Sequence, residues 1–191
     1  MKRILLQLIS AVSLLALLAS PLVATVQCQE KQKTRPQNPD KSLRAIFDSV
    51  LPQIKTKSHV PILLPSELPP PIAKARHVVV EKAAADEYAI SLYYELGVGD
   101  SGFAAFFAAQ GKTNFSPREL GNVESVNLTH GLHGFFRAVS CSGSCAPANL
   151  WWEQNGVLYQ IQLMLNANLS DENQEKMIVA VADSAILAGP R

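Results

Sequence analysis

The stretch NLWWEQNGVLYQIQL (residues 149–163) predicts a β-hairpin. Asn155-Gly156 is the favoured dipeptide of a type I′ turn, because both central positions of that turn require positive φ. A two-residue loop at this dipeptide sets the following cross-strand pairs: Gln154 with Val157, Trp152 with Tyr159, and Leu150 with Ile161. Because side chains alternate along a strand, Trp151 and Trp152 are expected on opposite faces.

The two faces of this hairpin differ in composition. One face is apolar and carries Leu150, Trp152, Val157, Tyr159, Ile161 and Leu163. The other face is mixed and carries Trp151, Glu153, Leu158, Gln160 and Gln162. We therefore expect Trp152 in the core. The mixed face of Trp151 is expected to be either partly exposed or covered by another element.

Two cysteines, Cys141 and Cys145, precede the hairpin. A disulfide between them is the default in an exported chain, and the small residues between them allow a compact loop. Closing so short a loop restricts the unfolded chain by roughly 2 kcal/mol. The alternatives are a redox dithiol, which favours two intervening residues, and half of a metal site, which needs further ligands.

The first residues predict export. Lys2 and Arg3 precede an apolar run that ends before Ser20-Pro21, as in a secretory signal peptide with cleavage after Ala24. The alternative is an uncleaved anchor, although a membrane span needs about 20 apolar residues. The predicted organisation is a signal peptide at 1–24, a flexible basic tether at 25–39 and a single domain at 40–191. The predicted location is periplasmic or extracellular, with or without tethering through the N-terminal segment.

Cys28 permits a further alternative, a lipoprotein. Lipidation of this cysteine would require cleavage just before it, and that cut favours a small residue where Gln27 stands. Cleavage after Ala24 is therefore preferred over a cut at Cys28.

The charge balance argues against nucleic acid as a partner. After Ala24 the chain keeps 15 basic side chains against 16 acidic ones, because Lys2 and Arg3 are removed, so its net charge is −1. A chain with so small a net charge has no long-range field to attract a polyanion. Contact with the membrane is expected only through the signal or an uncleaved anchor.

The remaining pattern predicts short elements of both kinds. DKSLRAIFDSVLP (residues 40–52) has the apolar spacing of an amphipathic helix that ends at Pro52. The proline-rich residues 59–72 are expected to form an edge strand or a wrapping segment. HVVVEK and EYAISLYYEL predict a hairpin whose apolar face includes Tyr88, Ile90 and Leu92.

GFAAFFAAQGK (residues 102–112) fits either a helix or a buried strand, and we favour the strand, with Phe103, Ala105 and Phe107 sharing a face. Two more strands are expected around Gly131 and Gly134.

The C-terminal region predicts a longer helix. Ser170 is expected to cap it and Gly189-Pro190 to end it. Its predicted buried stripe consists of Ile178, Val181, Ala182 and Ala185. The whole pattern predicts an α+β fold, in which an antiparallel β-sheet carries an N-terminal amphipathic helix and a C-terminal helix packed on one face.

His130 and His133, in THGLHG, are the other candidate ligands. Three positions apart on a strand they would point to opposite faces, so only a turn could direct both at one ion. The alternative is that they are polar surface residues of a hairpin. Together with Trp151 they are the candidate partner-binding residues. The sequence contains no recognisable catalytic triad, carboxylate pair or phosphate loop, so no catalytic, cofactor or metal residue is assigned and no cofactor is expected.

PILLPSELP, YAISLYY, SCAPANLWWEQNGVLYQIQL and VAVADSAI occur in that order along the chain. This succession resembles a group of small exported bacterial proteins of unassigned function. Its hairpin-helix end is similar to extracytoplasmic modules attached to some anti-sigma factors and envelope sensors. The resemblance spans residues 60–188 and implies a bacterial source and a sheet-plus-helix fold. It supplies no catalytic residue.

These features predict an exported, non-enzymatic binding or cell-envelope accessory module, whose partner is an unknown protein or envelope ligand. The alternative is a hydrolytic or redox enzyme of the cell envelope, with a site that one sequence does not reveal.

Overall fold

The computed structural model describes residues 43–70, 72–75, 77–93, 102–111 and 121–191. All of them belong to one compact unit, Asn38–Arg191. The predicted signal peptide, the predicted tether and Cys28 lie outside the described residues. No helix within the described ranges is long and apolar enough to cross a membrane.

The described ranges contain nine strands and three α-helices. The strands are β1 His77–Ala84, β2 Glu87–Tyr93, β3 Gly102–Gln110, β4 Glu124–Asn127, β5 His133–Arg137, β6 Ser140–Ser142, β7 Ser144–Ala146, β8 Ala148–Gln154 and β9 Val157–Leu163. The helices are α1 Leu43–Asp48, α2 Leu51–Lys55 and α3 Asp171–Ala188. A 3₁₀ turn, Thr129–Gly131, joins β4 to β5.

Seven strands form one antiparallel sheet in the order β1-β2-β3-β9-β8-β5-β4, and β6 pairs only with β7. Helix α3 packs on β8 and β9, while α1 and α2 contact β1. The predicted α+β fold, with a C-terminal helix on the sheet and a short N-terminal helical region, is confirmed.

The tryptophan hairpin has the predicted turn and register. Asn155 and Gly156 have φ values of 53° and 75°, as a type I′ turn requires. The predicted pairs are all observed: Gln154 with Val157, Trp152 with Tyr159, and Leu150 with Ile161. The stacked rings of Trp152 and Tyr159 lie 5.3 Å apart between centroids, on the core side.

One face of the sheet, which we call the core face, is buried beneath the helices. Its central row runs across six strands through Tyr88, Ala108, Tyr159, Trp152, Gly134 and Val126. Gly134 is required in this row, because a Cβ there would lie 3.0 Å from the carbonyl oxygen of Trp151 and 3.1 Å from Cδ1 of Leu150. The close packing of this row around β5 therefore requires glycine at position 134.

The N-terminal helical region differs from its prediction. Pro52 does not end a helix; it lies in the first turn of α2, which follows α1 after a short turn. Proline is tolerated there because the N–H groups of a first turn have no partner within the helix. Phe47 and Ile54 are completely buried, so the two short helices still present an apolar face to the core.

The proline-rich segment wraps the core and forms no strand in its described part, which settles the alternative left open by the sequence. Ile62, Leu63 and Leu64 are buried. Two tyrosines of the core face hold the segment: the Tyr88 hydroxyl accepts a hydrogen bond from the Leu63 N–H (3.1 Å) and donates to the Leu63 carbonyl (3.2 Å), and the Tyr159 hydroxyl donates to the Pro61 carbonyl (3.0 Å).

The segment that fitted either a helix or a strand forms strand β3, as favoured. The side of β3 that faces the core is not the one that carries Ala105 and Phe107. The buried side chains are Ala104, Phe106 and Ala108. The physical reason is register: Phe106 lies between Ile90 of β2 and Ile161 of β9, so the neighbouring strands set which side faces the core.

Helix α3 is capped and buried as predicted. The Ser170 hydroxyl accepts from the Asn173 N–H, and Ile178, Val181, Ala182 and Ala185 are buried. Two polar side chains of α3 also fix loops. The Gln174 Oε1 accepts from the Val139 N–H (2.9 Å), and the Asp183 Oδ1 accepts from the Thr129 N–H (2.7 Å).

Candidate functional site

The side of the sheet opposite the core face, which we call the second face, carries two long rows of side chains. The first row is Ala89, Phe107, Gln160, Trp151, Phe135 and Ser125. The second row is Ser91, Ala105, Gln162, Asn149 and Arg137. The first row contains no charged residue across six strands, and the only charge in the second row is Arg137 at its end. The second face is therefore mixed in polarity, and it also carries Glu87 and Glu153 outside these two rows and Lys82 of β1 opposite Ala89.

Trp151 lies at the centre of this face and is only 5% exposed. The guanidinium carbon of Arg137 is 5.4 Å from the ring centroid, a cation–π distance. Phe135 and Gln160 are its partners on the adjacent strands. Trp151 is buried by side chains of its own sheet, so a molecule docking here would first meet the side chains around it.

Three amide side chains form a network beside Trp151. The Asn149 Oδ1 accepts from the Gln160 Nε2 (2.8 Å) and the Gln162 Nε2 (2.9 Å), and the Asn149 Nδ2 donates to the Pro147 carbonyl (2.8 Å). Asn149 is almost fully buried. Because its hydrogen bonds fix the amide orientation, the two glutamines are held in defined positions on the second face.

A shallow pocket of about 180 Å³ lies at one end of the second row. It is lined by Ser91, Tyr93, Ala104, Ala105, Pro147, Gln162 and Met164. Ligand pockets that enclose drug-sized molecules are usually about 300–1,000 Å³, so this pocket suits one side chain or one ring. Met164 on its rim is one of the exposed large apolar residues.

Tyr93 is fixed at this pocket by a strand neighbour. Its hydroxyl donates to the Glu81 Oε1 at 2.8 Å. This hydrogen bond to a carboxylate raises the pKa of Tyr93 above its ordinary value. Tyr93 thus lines the pocket as a phenol whose hydroxyl is held by Glu81.

The predicted bond between Cys141 and Cys145 is present. The two cysteines lie directly opposite each other in a small hairpin, β6–β7, which we call the disulfide arm (residues 140–146). Both cysteines are exposed, and Pro147 of the pocket follows the arm directly. Within the described ranges, no group of three or more His, Cys, Asp or Glu residues could hold a metal ion.

The two candidate histidines are exposed and occupy different settings. His130 lies in the 3₁₀ turn with φ of 58°, and Asp183 of α3 holds that turn at Thr129. His133 begins β5 opposite Asn127, and it shares the second face with Phe135 because the two are two residues apart. The structure thus places His133 on the face of Trp151, whereas His130 belongs to the adjoining turn.

The pocket residues were not identified from the sequence. Alternation along β9 had placed Gln160 and Gln162 on the mixed face, and the same alternation along β8 would have added Asn149. Ser91 and Ala105 join Gln162 only because β3 pairs with β9. No local signal marks that pairing.

Comparison of the chain with protein-family models, curated proteins and solved structures finds no match. The resemblance to envelope modules therefore stays a prediction.

Proposed function

We propose that the chain is an exported, non-enzymatic binding module of the cell envelope that holds a partner protein on its second face. The observation that carries the proposal is the uncharged row from Ala89 to Ser125, which continues across six strands. Cores of protein–protein interfaces are depleted of charged residues and enriched in aromatic residues, Met and Arg. Phe107, Phe135, Arg137 and Met164 give the second face and its rim this composition.

The amide network supports the same proposal. Gln160 and Gln162 each use one amide hydrogen on Asn149, which leaves their carbonyl oxygens and second amide hydrogens for other partners. Such groups can pair with the backbone of a docked chain. The pocket beside Gln162 has the volume for one side chain of that partner.

Export is supported by the signal-like N-terminal sequence and by the disulfide, because disulfides persist in oxidising compartments. A redox role, the alternative expectation, has one observation in its favour: both residues of the Cys141–Cys145 disulfide are exposed.

Site-specific photo-cross-linking in the native envelope tests the proposal. A photoreactive phenylalanine analogue replaces Phe107 or Met164 on the second face or its rim. The matched control replaces Leu187, which is 64% exposed on α3. We expect one discrete cross-linked protein from the second-face positions and none of it from position 187.

The variant Ser91→Trp adds a specific block, because its ring would fill the pocket. We expect it to abolish the cross-link at position 164 without lowering the melting temperature by more than a few degrees. Equal cross-linking from all three positions, or none from the second face, would refute the proposal.

A further inference from the structure

We propose that the Cys141–Cys145 disulfide is a thiol-exchange site for an extracytoplasmic dithiol protein, and that its redox state sets how firmly the Pro147 wall of the pocket is held. The exchange site rests on the geometry of the arm, and the compartment of the dithiol protein rests on the proposed export. The consequence for the pocket rests on the proposed function.

The disulfide arm is accessible from solvent. Every residue from Ser140 to Cys145 is exposed, and none of the seven arm residues belongs to the hydrophobic core. Thiol–disulfide exchange needs a thiolate to approach one sulfur, so access is a main determinant of its rate. A disulfide on an exposed two-stranded arm meets this requirement in the folded protein.

The arm is also bounded on both sides by hydrogen bonds to the folded domain. Before it, the Val139 N–H donates to Gln174 of α3 at 2.9 Å. After it, the Pro147 carbonyl accepts from Asn149 at 2.8 Å. Loss of the disulfide therefore permits local opening between these two points while the sheet and α3 stay packed.

The proposed reaction is balanced with a dithiol as the reductant. Its thiolate attacks the sulfur of Cys141 or Cys145, the S–S bond breaks, and the other cysteine leaves as a thiolate that takes up a proton. The second thiol of the reductant then attacks the mixed disulfide and releases the second cysteine. The chain gains two thiols, and the reductant becomes a disulfide.

The connection to the pocket runs through Pro147 and Asn149. With the disulfide intact, Pro147 is held by the closed arm on one side and by Asn149 on the other. With the disulfide reduced, Asn149 alone holds it. Because Asn149 also accepts from Gln162, a change at Pro147 alters the amide network that lines the pocket.

The first test measures exchange on the folded full-length chain. Dithiothreitol is the probe, and new thiols are counted by alkylation and mass spectrometry while near-ultraviolet circular dichroism reports the fold. We expect a reduction rate proportional to the dithiothreitol concentration, with the native dichroism retained. A rate that saturates at the rate of global unfolding would overturn the exchange site.

The second test follows the pocket by NMR of the side-chain amides in the oxidised and reduced protein. The Cys141→Ser/Cys145→Ser variant serves as a control that cannot re-oxidise. We expect shifts in residues 140–146 and in the side-chain amides of Asn149 and Gln162, and no shift at the Trp152 indole. Shifts confined to residues 140–146 would overturn the connection to the pocket.

Both readouts are independent of a partner. Failure of the cross-linking experiment would therefore remove the proposed function and leave the exchange site intact. Failure of the thiol experiment would do the reverse.

Discussion

Trp152 and Trp151 are neighbours in the chain, and both are almost fully buried, yet they lie on opposite faces of the sheet. Trp152 belongs to the hydrophobic core beneath the helices and stacks on Tyr159. Trp151 lies outside that core, with the guanidinium of Arg137 over its ring. The same residue type is thus used once for packing and once within a face that we propose for binding.

The difference shows that the exposed fraction of a side chain does not by itself tell which layer the residue belongs to. On the core face, buried side chains contact helices and the wrapping segment. On the second face, Trp151 and Asn149 are buried among strand neighbours, and polar groups there are satisfied by one another.

The largest effect is expected at the tryptophans. Trp152→Ala should lower the free energy of unfolding by about 3–5 kcal/mol, the range for emptying an aromatic core site. Trp151→Ala should cost about 1–3 kcal/mol, because Trp151 contacts side chains of its own sheet and lies outside the hydrophobic core. Urea denaturation of both variants measures the difference. Equal losses would mean that the two faces are equally packed.

The indole nitrogen of Trp152 offers a sharper control. It is buried and makes no hydrogen bond within the part of the chain that the structure describes. Trp152→Phe should therefore cost much less than Trp152→Ala, since it removes an unpaired N–H together with part of the ring.

Gly134→Ala should cost about 1–3 kcal/mol, because an added Cβ would press on the backbone of Trp151 and on Leu150. A matched control is Ser125→Ala, which lies on the neighbouring strand with an exposed side chain on the second face. Thermal melts of the two variants compare the faces at adjacent strands. A neutral Gly134→Ala would show that the core face can relax there.

Tyr88→Phe should cost about 1–2 kcal/mol, because it leaves the buried N–H and carbonyl of Leu63 without the hydroxyl that pairs with both. The variant should also increase proteolysis within residues 58–70. Limited proteolysis followed by mass spectrometry checks this. Cleavage elsewhere in the domain would contradict a local role in holding the wrapping segment.

Alkaline pH should destabilise the core face before the second face. Burial raises the pKa of Tyr159 to about 12, and burial also raises that of Tyr88. The stability that these neutral hydroxyls provide is complete below about pH 10, the unfolded pKa, and is lost as pH rises toward the folded pKa. We expect about 1–2 kcal/mol from Tyr159, because solvent near its hydroxyl screens part of the effect.

Urea denaturation between pH 9 and 12 would show this as a falling free energy of unfolding. Tyr159→Phe should flatten the slope. Tyr93→Phe, on a half-buried position of β2, should change it less. A slope unaffected by Tyr159→Phe would contradict the assignment.

The smallest effect is expected on the second face. Asn149→Ala should cost about 1 kcal/mol, because Gln160 and Gln162 lose one shared acceptor but can turn toward water. Their side-chain NMR signals should sharpen and move toward solvent-exposed values. A loss as large as that of Trp152→Ala would place Asn149 among the core residues in energetic terms.

Much of this fold could be predicted from the sequence because its strongest signals are local. The Asn155-Gly156 turn sets a register by itself, and Ser170 and Gly189 mark the ends of α3 without reference to the rest of the chain. Pro52 was misplaced, because proline is compatible with both the end of one helix and the first turn of the next. The core side of β3 depends on neighbours that are distant in sequence.

The site was less predictable for the same reason. The sequence predicts Trp151, His130 and His133 as binding residues from residue type and local pattern alone. The pocket instead joins residues from β2, β3 and β9 with Pro147, just before β8, and Met164, just after β9. Only the order of the strands in the sheet brings them together.

That strand order also has a kinetic consequence. Almost every pairing in the large sheet joins strands that follow each other in the chain, if the disulfide arm between β5 and β8 is left out of the order. The exception is the seam between β3 and β9, where Phe106 meets Ile161. Closing a chain loop of this size costs on the order of 3–4 kcal/mol of entropy before the contacts form. We therefore expect the two halves to assemble early as separate meanders, and the formation of the seam to limit the folding rate of the whole sheet.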